Sequence, residues 1–267
     1  MPTHYNIYCD ANPNPTTLIG TSTGTRFVPA NALPYNSTLY WTVTAVNDVA
    51  ESAPATPRSF TTMADNTIYD LPWLEEFTDA AFPPANWERY IGEYPVDLLE
   101  PTTYRWTRRN FANVSDPANP SACANIYGTG TKHWLVTPPI SIPAGAYQLE
   151  FDLALTKWSN SNPVDPTQQQ DDRFIVLIAD NPTMVNPTVL RLWNNTDSEY
   201  VYNNITTLGE SQIIDLSAHT GVRYIGFYGE SKISGGDNGL FVDNVKVCQT
   251  PTNPIFTYAP DAIDLAR

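Results

Sequence analysis

Two pairs of adjacent carboxylates, Glu75-Glu76 and Asp171-Asp172, are the groupings with the clearest chemical potential in this chain. Cleavage of a glycosidic bond needs two carboxyls about 5 to 9 Å apart across a cleft, which neighbours on one strand do not supply. Carboxylates on different strands do supply it, so these residues alone leave hydrolysis open. The same oxygens suit calcium, a hard cation that takes roughly six to eight oxygen ligands from carboxylates, amides and carbonyls. EF-hand spacing is absent, so any such site draws on distant segments. His4, His133 and His219 are the only histidines, and each stands alone. There is no GxSxG, no HExxH, no GxGxxG opening a helix and no P-loop, so no catalytic residue is assigned and the expectation is a protein that is not an enzyme.

Two tryptophans stand in polar surroundings. Trp158 opens the loop Trp158 to Gln170, and Trp193 precedes Asn194-Asn195. An indole flanked by Asn and Ser suits stacking on a sugar ring while amides bond its hydroxyls. The competing reading packs each ring under its own loop. Asn238, in the turn Gly235-Gly236-Asp237-Asn238-Gly239, is a third ligand-binding candidate.

The elements that carry these residues are strands. From Tyr5 onward, short β-type runs alternate with clusters of Pro, Gly, Asn and Asp. Tyr5 to Tyr8, Leu18 to Gly20, Arg26 to Val28, Leu39 to Val46 and Arg58 to Thr62 form a first group. In the longest, Leu39, Trp41, Val43 and Ala45 share a face. The stretch Met63 to Asn66 is polar and without period, which places a boundary there. Longer and more apolar runs follow at Tyr147 to Leu155, Arg173 to Ala179, Val222 to Tyr228 and Leu240 to Val247. A short helical turn is expected near Thr78 to Phe82. The 267 residues include 24 prolines, against long helices. The fold class is all-β: a partial Ig-like sandwich in residues 1–63, a larger antiparallel jelly-roll β-sandwich in 68–249, and a tail in 250–267.

Composition narrows the partners. Fourteen Lys and Arg against 28 Asp and Glu give a net charge of −14. That balance repels phosphate backbones and anionic membrane surfaces, which argues against nucleic acid. No apolar run approaches the roughly 18 residues of a membrane span, so no membrane insertion is expected. No signal peptide opens the chain, and any export signal is expected upstream. Cys9, Cys123 and Cys248 are widely spaced, without a CxxC pair, and read as three buried thiols rather than a metal site, with at most one disulfide.

Two resemblances add family information. Leu33-Pro34, Thr38 to Asn47 and Ser59 to Thr62 resemble the second half of a bacterial fibronectin type III module, over residues 5 to 62, with Leu39 where such modules usually have the corner tyrosine. Leu74-Glu75-Glu76-Phe77, Phe82 to Trp87, Trp106, Lys132 to Ile140, Leu149-Glu150-Phe151, Asp172 to Ile178, Ile214 to Ser217 and Leu240 to Val245 resemble, in order, the cleaved-adhesin or choice-of-anchor J domains of Bacteroidota surface proteins, which have a MAM-like jelly roll. This resemblance implies a secreted or cell-surface, non-catalytic adhesion module for glycan or an extracellular host or matrix protein. It also implies a structural calcium ion held by Glu76, Asp172 and Asp243. Pro254 to Pro260 resembles the first strand of a further Ig-like module. Both ends thus fall inside modules, which suggests an alternative, a stalk or filament subunit whose copies exchange strands. A third reading is an accessory domain of a secreted hydrolase.

Overall fold

The computed structural model describes residues 1–252 apart from 129, 169, 170, 197 and 234. The chain forms two compact units, Met1–Asn66 and Thr67–Arg267. Among the described residues both are built of strands, with only two single 3-10 turns, Phe111–Asn113 and Tyr202–Asn204. The strand expected at Ile255 to Ala259 lies outside the described residues.

The first unit is one antiparallel sheet of β1 (His4–Asp10), β2 (Leu18–Ser22), β3 (Thr38–Val46) and β4 (Arg58–Thr61), in the order β2-β1-β3-β4. Alternation along β1 and β3 puts Tyr5, Ile7 and Cys9 beside Ala45, Val43 and Trp41 on one face. On the other face, Tyr8 and Asn6 donate to the Glu51 carboxylate at 2.9 and 3.0 Å, and Thr44 donates to the same oxygen. Arg26 to Val28 is not a strand, contrary to expectation. Phe27 instead packs so closely under Gly20 that a Cβ there would lie 2.7 Å from its ring, and Phe27 and Leu33 help line a cavity of about 620 Å³ over the apolar face.

The second unit is two facing sheets. Its strands are β5 (Trp73–Glu75), β6 (Glu88–Ile91), β7 (Glu100–Pro101), β8 (Trp106–Asn110), β9 (Pro120–Ile126), β10 (Thr131–Val136), β11 (Ile140–Ile142), β12 (Tyr147–Lys157), β13 (Arg173–Ala179), β14 (Thr188–Asn194), β15 (Tyr200–Val201), β16 (Glu210–Asp215), β17 (Gly221–Ser231) and β18 (Asn238–Gln249). One sheet runs β15-β14-β13-β17-β10-β6-β7, with β11 also on β17. The other runs β16-β12-β18-β9-β8, with β5 also on β18. The expected helical turn at Thr78 to Phe82 does not form. Asp79 accepts the Ala81 N–H at 3.0 Å in a local turn, and Pro83 and Pro84 follow.

Strand β13 is apolar on both faces because both faces are covered. Phe174, Val176 and Ile178 of β13 meet Phe151, Leu153, Leu240 and Val242 in the core between the sheets. Their neighbours Ile175, Leu177 and Ala179 point the other way, into a second cluster with Trp134, Met184 and Tyr228. On the outer side of the opposite sheet, Ala154, Cys123 and Phe241 lie under Ala112, Phe111 and Trp158. All three cysteines are free and buried.

Strand β18 does not keep one alternation. Leu240 and Val242 are in the core, and so are Val245 and Val247. The change of phase is a bulge at Asn244 and Val245, opposite Phe151, with Asn244 at φ +50°.

Trp193 belongs to this core, which corrects its assignment to a ligand surface. It is 2% exposed, with ring centroids 5.2 Å from Phe174 and 5.5 Å from Tyr200. The polar residues after it turn the chain away, while the indole itself points between the sheets. Replacing it, Trp193→Ala, is expected to lower the stability of the second unit by about 3–5 kcal/mol in denaturant titrations. A loss below 1 kcal/mol contradicts the core assignment.

Candidate functional site

The sequence-selected residues fall into three neighbourhoods of the second unit. In the first, Asp243, just before the bulge of β18, is 1% exposed and lies next to Asp152, Glu76 and Glu75. Asp152 is the cross-strand partner of Asp243, and Glu75 pairs with Val245. The Asp243 carboxylate accepts the Asn244 N–H at 2.8 Å. Asp152 accepts from Asn244 and Ser211 at 2.8 and 2.6 Å. Among the described residues, no Lys, Arg or His forms an ion pair with any of these four acids. Burial first, then the neighbouring Asp152, Glu76 and Glu75, push the Asp243 carboxyl up to about 7.

In the second, Asp172, 2% exposed, accepts the Asn238 side-chain amide at 2.7 Å. Burial pushes its carboxyl up to about 7, with the Asp171 charge adding to the rise and hydrogen bonds from Ser231 and Asn238 opposing it. Asn238 is wholly buried, so it is out of reach of a surface ligand, a correction to its assignment as a ligand-binding residue. The buried Tyr202 hydroxyl faces the Asn238 side chain.

These two neighbourhoods are separate. Asp172 is tied to Asn238, and five residue steps of strand at roughly 3.3 Å each, about 16 Å, separate Asn238 from Asp243. Glu76 and Asp243 are therefore brought together and Asp172 is not. The one ion joining all three that the resemblance implied is not assembled. The donors beside Asp243 are all carboxylate oxygens, the type calcium takes. As the side chains stand, no three His, Cys, Asp or Glu among the described residues converge to hold a metal.

The third neighbourhood surrounds Trp158, which is half-buried on the outer side of the sheet. The Arg109 guanidinium lies 4.1 Å above its ring. Trp158 N–H donates to the Asp237 carbonyl at 2.8 Å, and Asn125 donates to the Asp237 carboxylate at 2.6 Å. The Asn113 amide nitrogen lies 2.9 Å from Thr156 Oγ1 and 3.0 Å from the Lys157 carbonyl. The indole is thus fixed in place, with Ser159, Asn160 and Ser161 exposed beside it.

Sequence reasoning missed Asp152, Arg109 and Asn113. Asp152 carried a signal: it is a carboxylate flanked by Phe151 and Leu153 in a mainly apolar strand. Arg109 and Asn113 carried none, since only the folding of their segment over the sheet brings them to Trp158.

The fold defines a class, the all-β two-sheet sandwich. No family model matches the chain, and neither does any curated protein. Among solved structures the chain is similar to the K1 cleaved adhesin domain of Lys-gingipain from Porphyromonas gingivalis W83, at 15% identity, 68% of this chain, 100% of that one and a TM-score of 0.45. It is also similar to the K2 cleaved adhesin domain of Lys-gingipain, at 12% identity, 67% and 99% coverage and a TM-score of 0.43. A xylan-binding module, CBM15, matches at 7% identity, 68% and 99% coverage and a TM-score of 0.37. These likenesses are loose, and no residue role follows from them.

The raised carboxyls give a pH dependence. Asp243 ionises near 4 in the unfolded chain and near 7 when folded, so between those values the folded state holds more protons and stability falls as pH rises. Asp243→Asn removes this cost. It is expected to stabilise the calcium-free protein at pH 8 by on the order of 2 kcal/mol and to be neutral near pH 4, as read by urea titration at both values. Equal effects at the two pH values contradict this account.

Proposed function

We propose that the chain is a secreted or cell-surface, non-catalytic adhesion module that binds glycan through the rim of Trp158. The observation that carries this reading is the preset indole: Arg109 covers one face, the Asp237 carbonyl holds its backbone, and exposed hydroxyl and amide groups border it. A ring fixed before binding loses little freedom when a sugar docks, and nearby polar groups supply orientation. A glycan array, followed by titration of a bound sugar, tests it. Trp158→Ala is expected to reduce binding at least tenfold while shifting the melt by only a few degrees. Undiminished binding sinks the assignment. The buried acids favour this reading over hydrolysis, because Asp172 and Asp243 lie at 2% and 1% exposure and a substrate does not reach them.

Calcium is part of the same proposal, at Asp243 with Glu76 and Asp152 rather than at Asp172. Binding requires the Glu76 and Asp152 side chains to turn toward Asp243, and it would neutralise a buried charge that now has only like-charged neighbours. An ion bound only by the folded state stabilises by about 2.7 kcal/mol at a hundredfold excess over Kd. Melts in EDTA and in millimolar calcium are therefore expected to differ by several degrees, and Asp243→Asn to abolish the difference. Identical wild-type melts contradict the site.

A second reading, assembly of copies as a stalk or filament, has one observation in its favour. The apolar face of the first unit, with Trp41 and Phe60 both more than a third exposed, lacks a second sheet within that unit.

A further inference from the structure

On the second unit, the end of β13, the loop 180–187 and the start of β17 enclose a polar cavity of about 370 Å³. Asp180, Asn181, Thr188, His219 and Arg223 line it. The loop is built before any ligand arrives. Asn181 Oδ1 accepts the Val185 N–H at 2.9 Å, and its amide donates to the Val185 carbonyl at 3.0 Å and to Asp180 at 2.9 Å.

Arg223 is the unusual member. Every other described arginine of this unit donates a side-chain hydrogen bond or lies over an aromatic ring. For Arg223 neither is found among the described residues, and its Nε is buried without a partner. This happens in a chain with 28 acids, twice the number of its bases. A half-buried guanidinium left open at a cavity wall offers a planar fork to a bidentate oxyanion. Burial, and then Arg223, hold the His219 imidazole below its ordinary value, so near neutral pH it serves as a hydrogen-bonding group and not as a second cation. Asp180 on the wall disfavours a dianion such as phosphate and offers an acceptor to a hydroxyl.

We propose that this cavity is a saccharide subsite for an acidic sugar, with Arg223 receiving the carboxylate and His219, Thr188 and Asp180 meeting ring hydroxyls. The volume is at the small end of ligand cavities, in keeping with a single sugar residue. The inference rests on the glycan-binding reading for the nature of its ligand, but it uses a different part of the surface from Trp158.

The experiment is calorimetric titration of the whole chain with an oligogalacturonate, its methyl ester, a neutral oligosaccharide from the array and inorganic phosphate. The acid is expected to bind at least tenfold more tightly than its ester, and Arg223→Gln to remove that preference without moving the melt. Arg223→Lys, which keeps the charge but not the fork, is expected to restore only part of it. Equal affinity for acid and ester, or an unchanged preference in Arg223→Gln, overturns the subsite. Neutral sugars bound through Trp158 would then leave the adhesion reading standing. Phosphate bound as tightly as the uronate overturns the sugar assignment. Binding of no saccharide at all overturns both.

Discussion

Strand β18 pairs with β12 on one side and with β9 on the other, and beyond its bulge with β5. Where such a strand is enclosed laterally and covered on both faces, as from Asn238 to Asp243, its polar side chains meet no water. Its sequence nonetheless places Asn238 at the start and Asp243 near the middle, both fully buried. The ladder satisfies the backbone, so each side chain must find a partner within reach. Asn238 finds Asp172, at the entrance of β13 in the facing sheet, and the 2.7 Å hydrogen bond joins the two sheets there. Asp243 finds one N–H at the bulge and, beyond it, three carboxylates.

The buried acids of this unit are accommodated in two ways. Glu230, 1% exposed, is paired with Arg173 and with Lys232. Among the described residues Asp172 and Asp243 have no ion-pair partner, although the chain has 14 basic residues. Lys132 and Lys232 face Glu93, and Lys246 faces Glu150 on the strand beside Asp243. An unpaired carboxylate in such a place takes up a proton or a metal ion, because either removes the buried charge. The raised carboxyl of Asp243 and its proposed affinity for calcium are therefore two expressions of one constraint, with proton and ion competing for the same oxygens.

Much of the fold was legible because the pattern that reports strands survives without tertiary information. The run Arg173 to Ala179 is a strand over its whole length, and the other long apolar runs lie inside β12, β17 and β18. What failed was local. Arg26 to Val28 has strand composition, but Phe27 lies beneath Gly20 and no ladder forms. The site was less legible than the fold. Residue type alone does not tell an indole inside a sandwich from one on its rim, and Trp193 and Trp158 both precede polar residues. The bulge at Asn244 was also hidden, since an extra residue in a strand leaves no mark in an apolar sequence until its partner strand is known.

Asn beside the loop tryptophans had suggested ligand contacts, and the structure shows a different use for several loop asparagines. Asn181 clamps the loop 180–187, Asn113 the start of the Trp158 loop, Asn47 caps the turn at Val49 and Ala50, and Asn160 receives the Asn162 N–H. These are the turn-forming bonds that short amide side chains make with nearby backbone. Their effect is to fix loops that would otherwise have to be ordered by a ligand, so recognition at such a surface loses less conformational freedom. In the proposed reading, ligand contact falls to groups that the loops hold in place but do not themselves use. The indole edge of Trp158 on one sheet and the open guanidinium of Arg223 on the other are two such groups, each beside a loop pinned by its own asparagine.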